Sequence, residues 1–248
     1  MSLHLPRLPD DPGAPFPDIA NALRQPDGLL AFGGDLSPPR LLNAYRHGIF
    51  PWFSEGQPIL WWSPDPRMVF RTDGVRLSSR FRRELRKSTW VVRADTAFAD
   101  VIDRCANIPR KGQRGTWITP AMCAAYLEMH RLGHAHSIEV FDESEGACRL
   151  VGGIYGIASG HAFFSESMFS AESGGSKVAL AALAYRLHGW GWPLIDAQVE
   201  NPHLLSLGAE RLGRDSFSKA IHALVQKPGR PGSWQEGFGM LPAARLAD

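Results

Sequence analysis

Two acidic side chains stand inside segments that alternate like strands. In Leu194-Ile-Asp-Ala-Gln-Val-Glu-Asn201, alternation puts Asp196 and Gln198 on one face and Ile195, Ala197 and Val199 on the other. Glu166 is set among aromatics in Phe163-Phe-Ser-Glu-Ser-Met-Phe169. A carboxylate in such a place either meets water at a strand end or is held by partners in a cleft, since an unpaired buried charge is costly. Each acid alone admits both readings. Two of them on neighbouring strands favour a site.

Other chemistry is poorly supported. Ser173-Gly-Gly-Ser176 ahead of a helix could cradle an anion on its backbone N–H groups. It lacks the full G-x-x-x-x-G-K-[ST] pattern and reads more simply as a loop. Nine histidines are scattered without an H-E-x-x-H or Cys/His ligand set, so no metal is expected. Neither G-x-S-x-G nor G-x-G-x-x-G occurs, which weakens the hydrolase and dinucleotide readings. Cys105, Cys123 and Cys148 form no C-x-x-C pair and are read as reduced thiols.

The elements that must carry the acids follow from periodicity. Ser137 to Phe141, Arg149 to Tyr155 and Ala162 to Phe169 repeat every two residues between turn signals and predict an antiparallel meander. Lys177 to Leu187 is an apolar helix, followed by a strand over 193–199, and Phe217, Ala220, Ile221 and Leu224 mark a later helix behind Asp215. Upstream, Leu77, Phe81 and Leu85 recur every four residues behind Ser78 as a cap, with Arg80, Arg82, Arg83, Arg86 and Lys87 on the other faces. Phe98, Val101, Ile102 and Cys105 continue as a helix, and Thr119-Pro120 opens another that Gly133 closes. The segment up to about Arg67 reads as loop-rich, with short helices near 19–24 and 38–47. Phe50, Trp52, Phe53, Leu60, Trp61 and Trp62 must pack on something larger. The Pro/Gly-rich tail after Lys227 is expected to be peripheral.

With 248 residues, 44% hydrophobic and 21% charged, the chain can bury the core of one or two domains. No run approaches the roughly 18 apolar residues of a membrane helix, and residues 1–18 show no apolar signal core, so a cytoplasmic protein without membrane partners is expected. The net charge of +2 is unevenly spread: from Arg71 to Arg114, twelve Lys or Arg face five Asp or Glu. Arg104, Arg110, Lys111 and Arg114 carry this surplus beyond one helix, which fits either a solvated face or a polyanionic partner.

Many colinear stretches then resemble one bacterial family, the leucyl/phenylalanyl-tRNA-protein transferases. They include Gly33-Gly-Asp-Leu-Ser-Pro38, Gly48-Ile-Phe-Pro-Trp52, Pro58-Ile-Leu-Trp-Trp-Ser-Pro-Asp-Pro-Arg67, Gly115-Thr-Trp-Ile-Thr119, Gly133-His-Ala-His-Ser-Ile-Glu139, Val151-Gly-Gly-Ile-Tyr-Gly156, Glu166-Ser-Met-Phe-Ser170 and Ile195-Asp-Ala-Gln198. Ser165 stands where such proteins often have Gly, and Ala197 where Cys is common.

The resemblance implies an α/β (α+β) fold, with a small N-terminal domain over 1–68 and a C-terminal domain over 69–248 like the acetyltransferase (GNAT) superfold. It implies transfer of Leu, Phe or, less well, Met from aminoacyl-tRNA to the N-terminal amine of proteins beginning with Arg or Lys, which marks them for degradation by the N-end rule pathway. The donor is already an activated ester, so neither cofactor nor metal is expected. Asp196, Gln198 and Glu166 are the implied catalytic residues: the acids orient the cationic acceptor, Asp196 polarises the network and Gln198 aligns the amine. An apolar slot for the side chain is expected from Ile154, Phe163, Leu180, Leu183 and Ile195, residues that as a set would otherwise be ordinary core. Trp52 and Trp117 would stack on the terminal adenosine, wall the cleft or pack between domains. Arg80, Arg82, Arg83, Arg86 and Lys87 would then grip tRNA phosphates.

Two rival functions are an acyl-CoA N-acyltransferase, which lacks its pyrophosphate turn here, and a noncatalytic RNA-binding module, which has no use for acids in a cleft.

Overall fold

A computed structural model describes residues 5–108, 117–146 and 148–248. Arg110, Lys111, Arg114 and the Gly115-Thr116 part of one motif lie outside the described residues. The fold is mixed α/β, built on two sheets.

The first sheet gathers β1 (Arg7–Leu8), β2 (Leu29–Gly33), β3 (Phe50–Pro51) and β4 (Leu60–Trp62) in the order β1-β2-β4-β3. Between β2 and β3 runs α1 (Pro38–Arg46), with proline in its first turn, where a missing N–H costs nothing. The segment is loop-rich and holds the helix expected near 38–47, but its four short strands were not expected. Its strands are two to five residues long and nearly continuous in apolar residues, so no period of two marks them. Near residue 19 only a three-residue 3-10 turn forms, capped by Asp18.

The second sheet has eight strands. After β5 (Arg67–Arg71) come α2 (Ser79–Leu85), β6 (Trp90–Ala94), α3 (Phe98–Asn107) and α4 (Pro120–Arg131). The meander is β7 (Ala135–Asp142), β8 (Arg149–Ser159) and β9 (Ala162–Ser170), followed by α5 (Gly175–Gly189) and β10 (Leu194–Gln198). The chain finishes with α6 (Pro202–Ser206), β11 (Glu210–Leu212), α7 (Arg214–Val225), α8 (Gln235–Phe238) and β12 (Leu241–Pro242). The sheet order is β11-β5-β10-β9-β8-β7-β6-β12, with β9 and β10 parallel and the other neighbours antiparallel.

Alternation sends side chains of this sheet to two faces. Phe70, Ile138, Ile154, Phe163 and Ile195 pack with Val178, Leu180 and Leu183 of α5. On the other face Val69, Tyr155, Phe164 and Leu194 join Phe98 and Ile102 of α3, Tyr126 of α4 and Phe217 and Ile221 of α7, together with Tyr45, Phe50 and Trp61 from the first sheet's segment. This second core is shared by both sheets. The tail after Lys227 is not peripheral: Trp234, Phe238 and Leu241 are buried, and β12 extends the sheet beside β6. Indole and phenyl burial outweighs the local preference of the Pro/Gly-rich stretch for turns.

Among the described residues, no helix is long and apolar enough to cross a membrane.

Candidate active site

The site grows from a charged pair under the sheet. Arg67 opens β5 and Asp196 lies next to it on β10, where both are fully buried. Arg67 Nε donates to Asp196 Oδ1 at 2.9 Å and Nη2 to Oδ2 at 2.7 Å, a fork that matches the carboxylate. The rings of Phe50 and Phe217 flank the guanidinium, each centroid 4.7 Å from its central carbon. Burial without this pairing would cost both ions several kcal/mol.

Asp196 Oδ1 accepts a further bond, from the backbone N–H of Gln198 at 2.9 Å. The register slips between these two residues, and Gln198 sits at φ +61°, a left-handed conformation that a glutamine seldom adopts. Such a residue stores on the order of 1–3 kcal/mol of strain and persists because its surroundings hold it. The bulge turns the Gln198 side chain toward β9, where Nε2 donates to Glu166 Oε1 at 2.8 Å. Its amide oxygen is left as the acceptor.

Glu166 is the meeting point of three elements. Tyr45 of α1 donates its hydroxyl to Oε1 and Tyr126 of α4 donates to Oε2, both at 2.8 Å, and the two hydroxyls also contact one another. Burial, aided by the charge of Asp196, pushes the Glu166 carboxyl up to about 7, although the tyrosines and Gln198 pull the other way. Burial and the Glu166 charge likewise hold both tyrosine hydroxyls well above their ordinary value, so they remain donors at neutral pH.

Above this network opens a cavity of about 320 Å³ lined by Glu166 and Gln198 at its floor, with Phe50, Trp52, Trp117 and Leu204 among its apolar walls. Trp52 is 38% exposed, its backbone carbonyl accepts the indole N–H of Trp62 at 2.7 Å, and the two rings lie 5.5 Å apart. The Asp196 carboxylate stays beneath the floor, fully buried, with its charge balanced by Arg67.

The structure thus brings Glu166, Gln198, Trp52 and Trp117 to one opening, with Asp196 behind them. It does not bring the expected slot residues there. Ile154, Phe163 and Ile195 point to the opposite face, against Leu180 and Leu183 of α5, and all five are buried core. The physical reason is parity: Phe163 and Ile195 are odd steps from Glu166 and Asp196 on their own strands, and Ile154 is one step from Tyr155, which joins the other face. Arg80, Arg83, Arg86 and Lys87 are exposed on and just beyond α2 and Arg82 is half-buried. Arg80 pairs with Glu84 at 2.9 Å, and Arg86 donates to the Ala247 carbonyl. At Ser173–Ser176 the Ser176 N–H is taken by Ser170 Oγ at 2.8 Å, which favours the plain-loop reading over an anion cradle.

Sequence reasoning missed Arg67, Tyr45 and Tyr126. A buried acid demands a cation somewhere, but nothing local says which one: Arg67 is 129 residues away. No group of three or more potential metal ligands occurs among the described residues.

Comparison with known proteins shows the family of the chain. The family described as leucyl/phenylalanyl-tRNA protein transferase matches residues 69–222, and its N-terminal domain matches residues 34–65. A leucyl/phenylalanyl-tRNA–protein transferase of Xanthomonas axonopodis pv. citri is 68% identical over 249 residues, covering 100% of this chain and 98% of the relative. That of Xanthomonas euvesicatoria pv. vesicatoria is 71% identical, with 95% and 92% covered, and that of Xylella fastidiosa is 60% identical, with 94% of each covered. Among solved structures, FemX aligns with a TM-score of 0.45 at 11% identity, covering 77% of this chain and 71% of that one. L-PGS from Bacillus licheniformis aligns with a TM-score of 0.40 at 11% identity, covering 83% and 66%. With its sequence matched over most of its length, the chain belongs to the leucyl/phenylalanyl-tRNA–protein transferase family and is an aminoacyltransferase.

Proposed function

We propose that the protein moves Leu, Phe and, less well, Met from aminoacyl-tRNA to the N-terminal amine of proteins that begin with Arg or Lys, and so marks them for degradation in the cytoplasm by the N-end rule pathway. The observation that carries this reading is the Gln198 amide oriented by Glu166 at the floor of a cavity walled by Phe50, Trp52, Trp117 and Leu204, with Glu200 and Asn201 also on its lining. We take residues 1–68 as a smaller domain in front of a GNAT-like domain over 69–248.

In this reading the donor ester rests in the cavity, its apolar side chain and terminal adenosine against the walls that include Trp52 and Trp117. The acceptor amine has a pKa of about 7.7–8.0, so a neutral fraction exists at pH 7 and no strong base is needed. Gln198 accepts a hydrogen bond from that amine and aims its lone pair at the ester carbonyl, where alignment can supply on the order of 7–11 kcal/mol in favourable cases. A C–N bond forms, the ester C–O bond breaks, and the leaving ribose oxygen takes the amine proton. Glu166 draws the cationic end of the acceptor. Asp196 is a positioning residue: its bond to the Gln198 N–H keeps the strained backbone that presents the amide. The basic face of α2 holds tRNA phosphates.

The test is incubation of radiolabelled Leu-tRNA with the enzyme and a protein beginning with Arg. Label should enter the acceptor; absence of transfer, or binding of acyl-CoA in its place, would overturn the reading.

A further inference from the structure

A second pocket, of about 220 Å³, lies away from the catalytic cavity between the end of α1, the turn joining β8 to β9, and the stretch Lys227-Pro-Gly-Arg-Pro-Gly232. Its floor is backbone: a side chain at Gly160 would fall 2.3 Å from the Leu224 carbonyl oxygen, so the turn closes directly onto the end of α7. Its rim carries Arg46, His134, Lys227 and Arg230, and no acidic residue lines it. Arg46, Lys227 and Arg230 are exposed, and none of them forms an ion pair among the described residues. Arg230 is braced by stacking over Trp190, 4.6 Å from the ring centroid. Burial first, with smaller contributions from His136 and Arg46, holds the His134 ring below its ordinary pKa.

Arg46 at the end of α1 and Lys227 and Arg230 on the stretch after α7 thus form an unpaired cationic rim, whose field favours an anion. We infer that this pocket binds a backbone phosphate of the RNA donor, as a contact additional to the basic face of α2. The inference rests on the proposed donor. The turn stands at the start of β9, whose first residue, Ala162, is four residues before Glu166, roughly 13 Å at the rise of a strand. A tRNA whose acylated end enters the catalytic cavity can therefore reach both places. A peptide acceptor with a cationic end would be repelled by the same rim, which favours RNA over protein as the occupant.

The experiment measures deacylated tRNA binding to the full-length protein across a series of salt concentrations. The double variant Arg46→Gln/Lys227→Gln removes two exposed, unpaired charges, and its melting curve verifies the fold. The slope of log affinity against log salt should become shallower by about 1 per charge removed. The charge-keeping variant Arg46→Lys/Lys227→Arg should retain the parent slope. An unchanged slope in the double variant would overturn the inference. So would competition by an acidic peptide against which tRNA has no effect, or a melting shift by inorganic phosphate at matched ionic strength with no change in the tRNA slope. Transfer of Leu by the parent enzyme separates the two readings: a parent that transfers while the slopes agree sinks this site alone, and a parent that transfers nothing sinks the proposed function.

Discussion

Asp196 grips the backbone of Gln198 two residues on, its Oδ1 accepting the Gln198 N–H at 2.9 Å while Arg67 occupies both carboxylate oxygens. In the proposed mechanism the acid therefore acts through the shape of the chain. Neutralising it in Asp196→Asn leaves the Arg67 charge buried without its counter-ion, a change that costs about 3–5 kcal/mol. Thermal denaturation should show a lower Tm, and single-turnover transfer should slow as well.

Two substitutions at Gln198 separate conformation from chemistry. Gln198→Ala and Gln198→Gly both remove the amide, and both should slow single-turnover transfer. Glycine accepts φ +61° without the Cβ penalty, so Gln198→Gly should be more stable than Gln198→Ala by about 1 kcal/mol, readable in denaturant midpoints. Transfer at the parent rate in either variant would remove Gln198 from the chemistry.

Glu166 makes stability depend on pH. Its folded carboxyl is raised from 4.5 to about 7 by burial first and by Asp196 second, so between those values the folded state holds a proton that the unfolded state has released. The parent loses this contribution as pH rises from about 4.5 to 7, while Glu166→Gln has nothing there to titrate. The Tm of the variant minus that of the parent should therefore climb across that window, as melting curves at a series of pH values would show. A flat difference would mean that Glu166 does not titrate there.

Trp52 and Trp117 wall the cavity, and aromatic stacking on a base is worth about 1–3 kcal/mol. Trp52→Ala, at an exposed ring, should raise the KM for aminoacyl-tRNA roughly 5- to 150-fold with little loss of Tm. The same measurement on Trp117→Ala tells whether both rings meet the donor.

Raising salt should weaken tRNA binding steeply and affect a minimal aminoacyl-adenosine donor less, because only the full tRNA spans the basic surfaces. Equal salt sensitivity of the two donors would count against the α2 face.

What the sequence showed plainly was whatever had a strong period. The apolar run of α5 and the alternation in β8, β9 and β10 were legible, and with them the shared face of Asp196 and Gln198. β5 was hidden because Arg67-Met-Val-Phe70 is a buried strand with apolar residues on both faces, and β6, β11 and β12 are short or lie near an edge of the sheet. The supports of the site were illegible for a different reason. Tyr45 and Tyr126 sit on helices 81 residues apart, where each looks like one more core aromatic until the fold aims their hydroxyls at Glu166. The apolar slot was misplaced by treating residues of both parities on β8, β9 and β10 as one surface, although the strands divide them.

The shared core has an architectural consequence. Tyr45, Trp52 and Arg67 come from before residue 69, whereas Tyr126, Glu166 and Gln198 come after it, and the two sets interlock through Glu166 and Asp196. The part before residue 69 is thus no detachable accessory. Severed from the remainder, neither fragment owns a complete reaction centre, and their reunion would itself be visible as restored turnover.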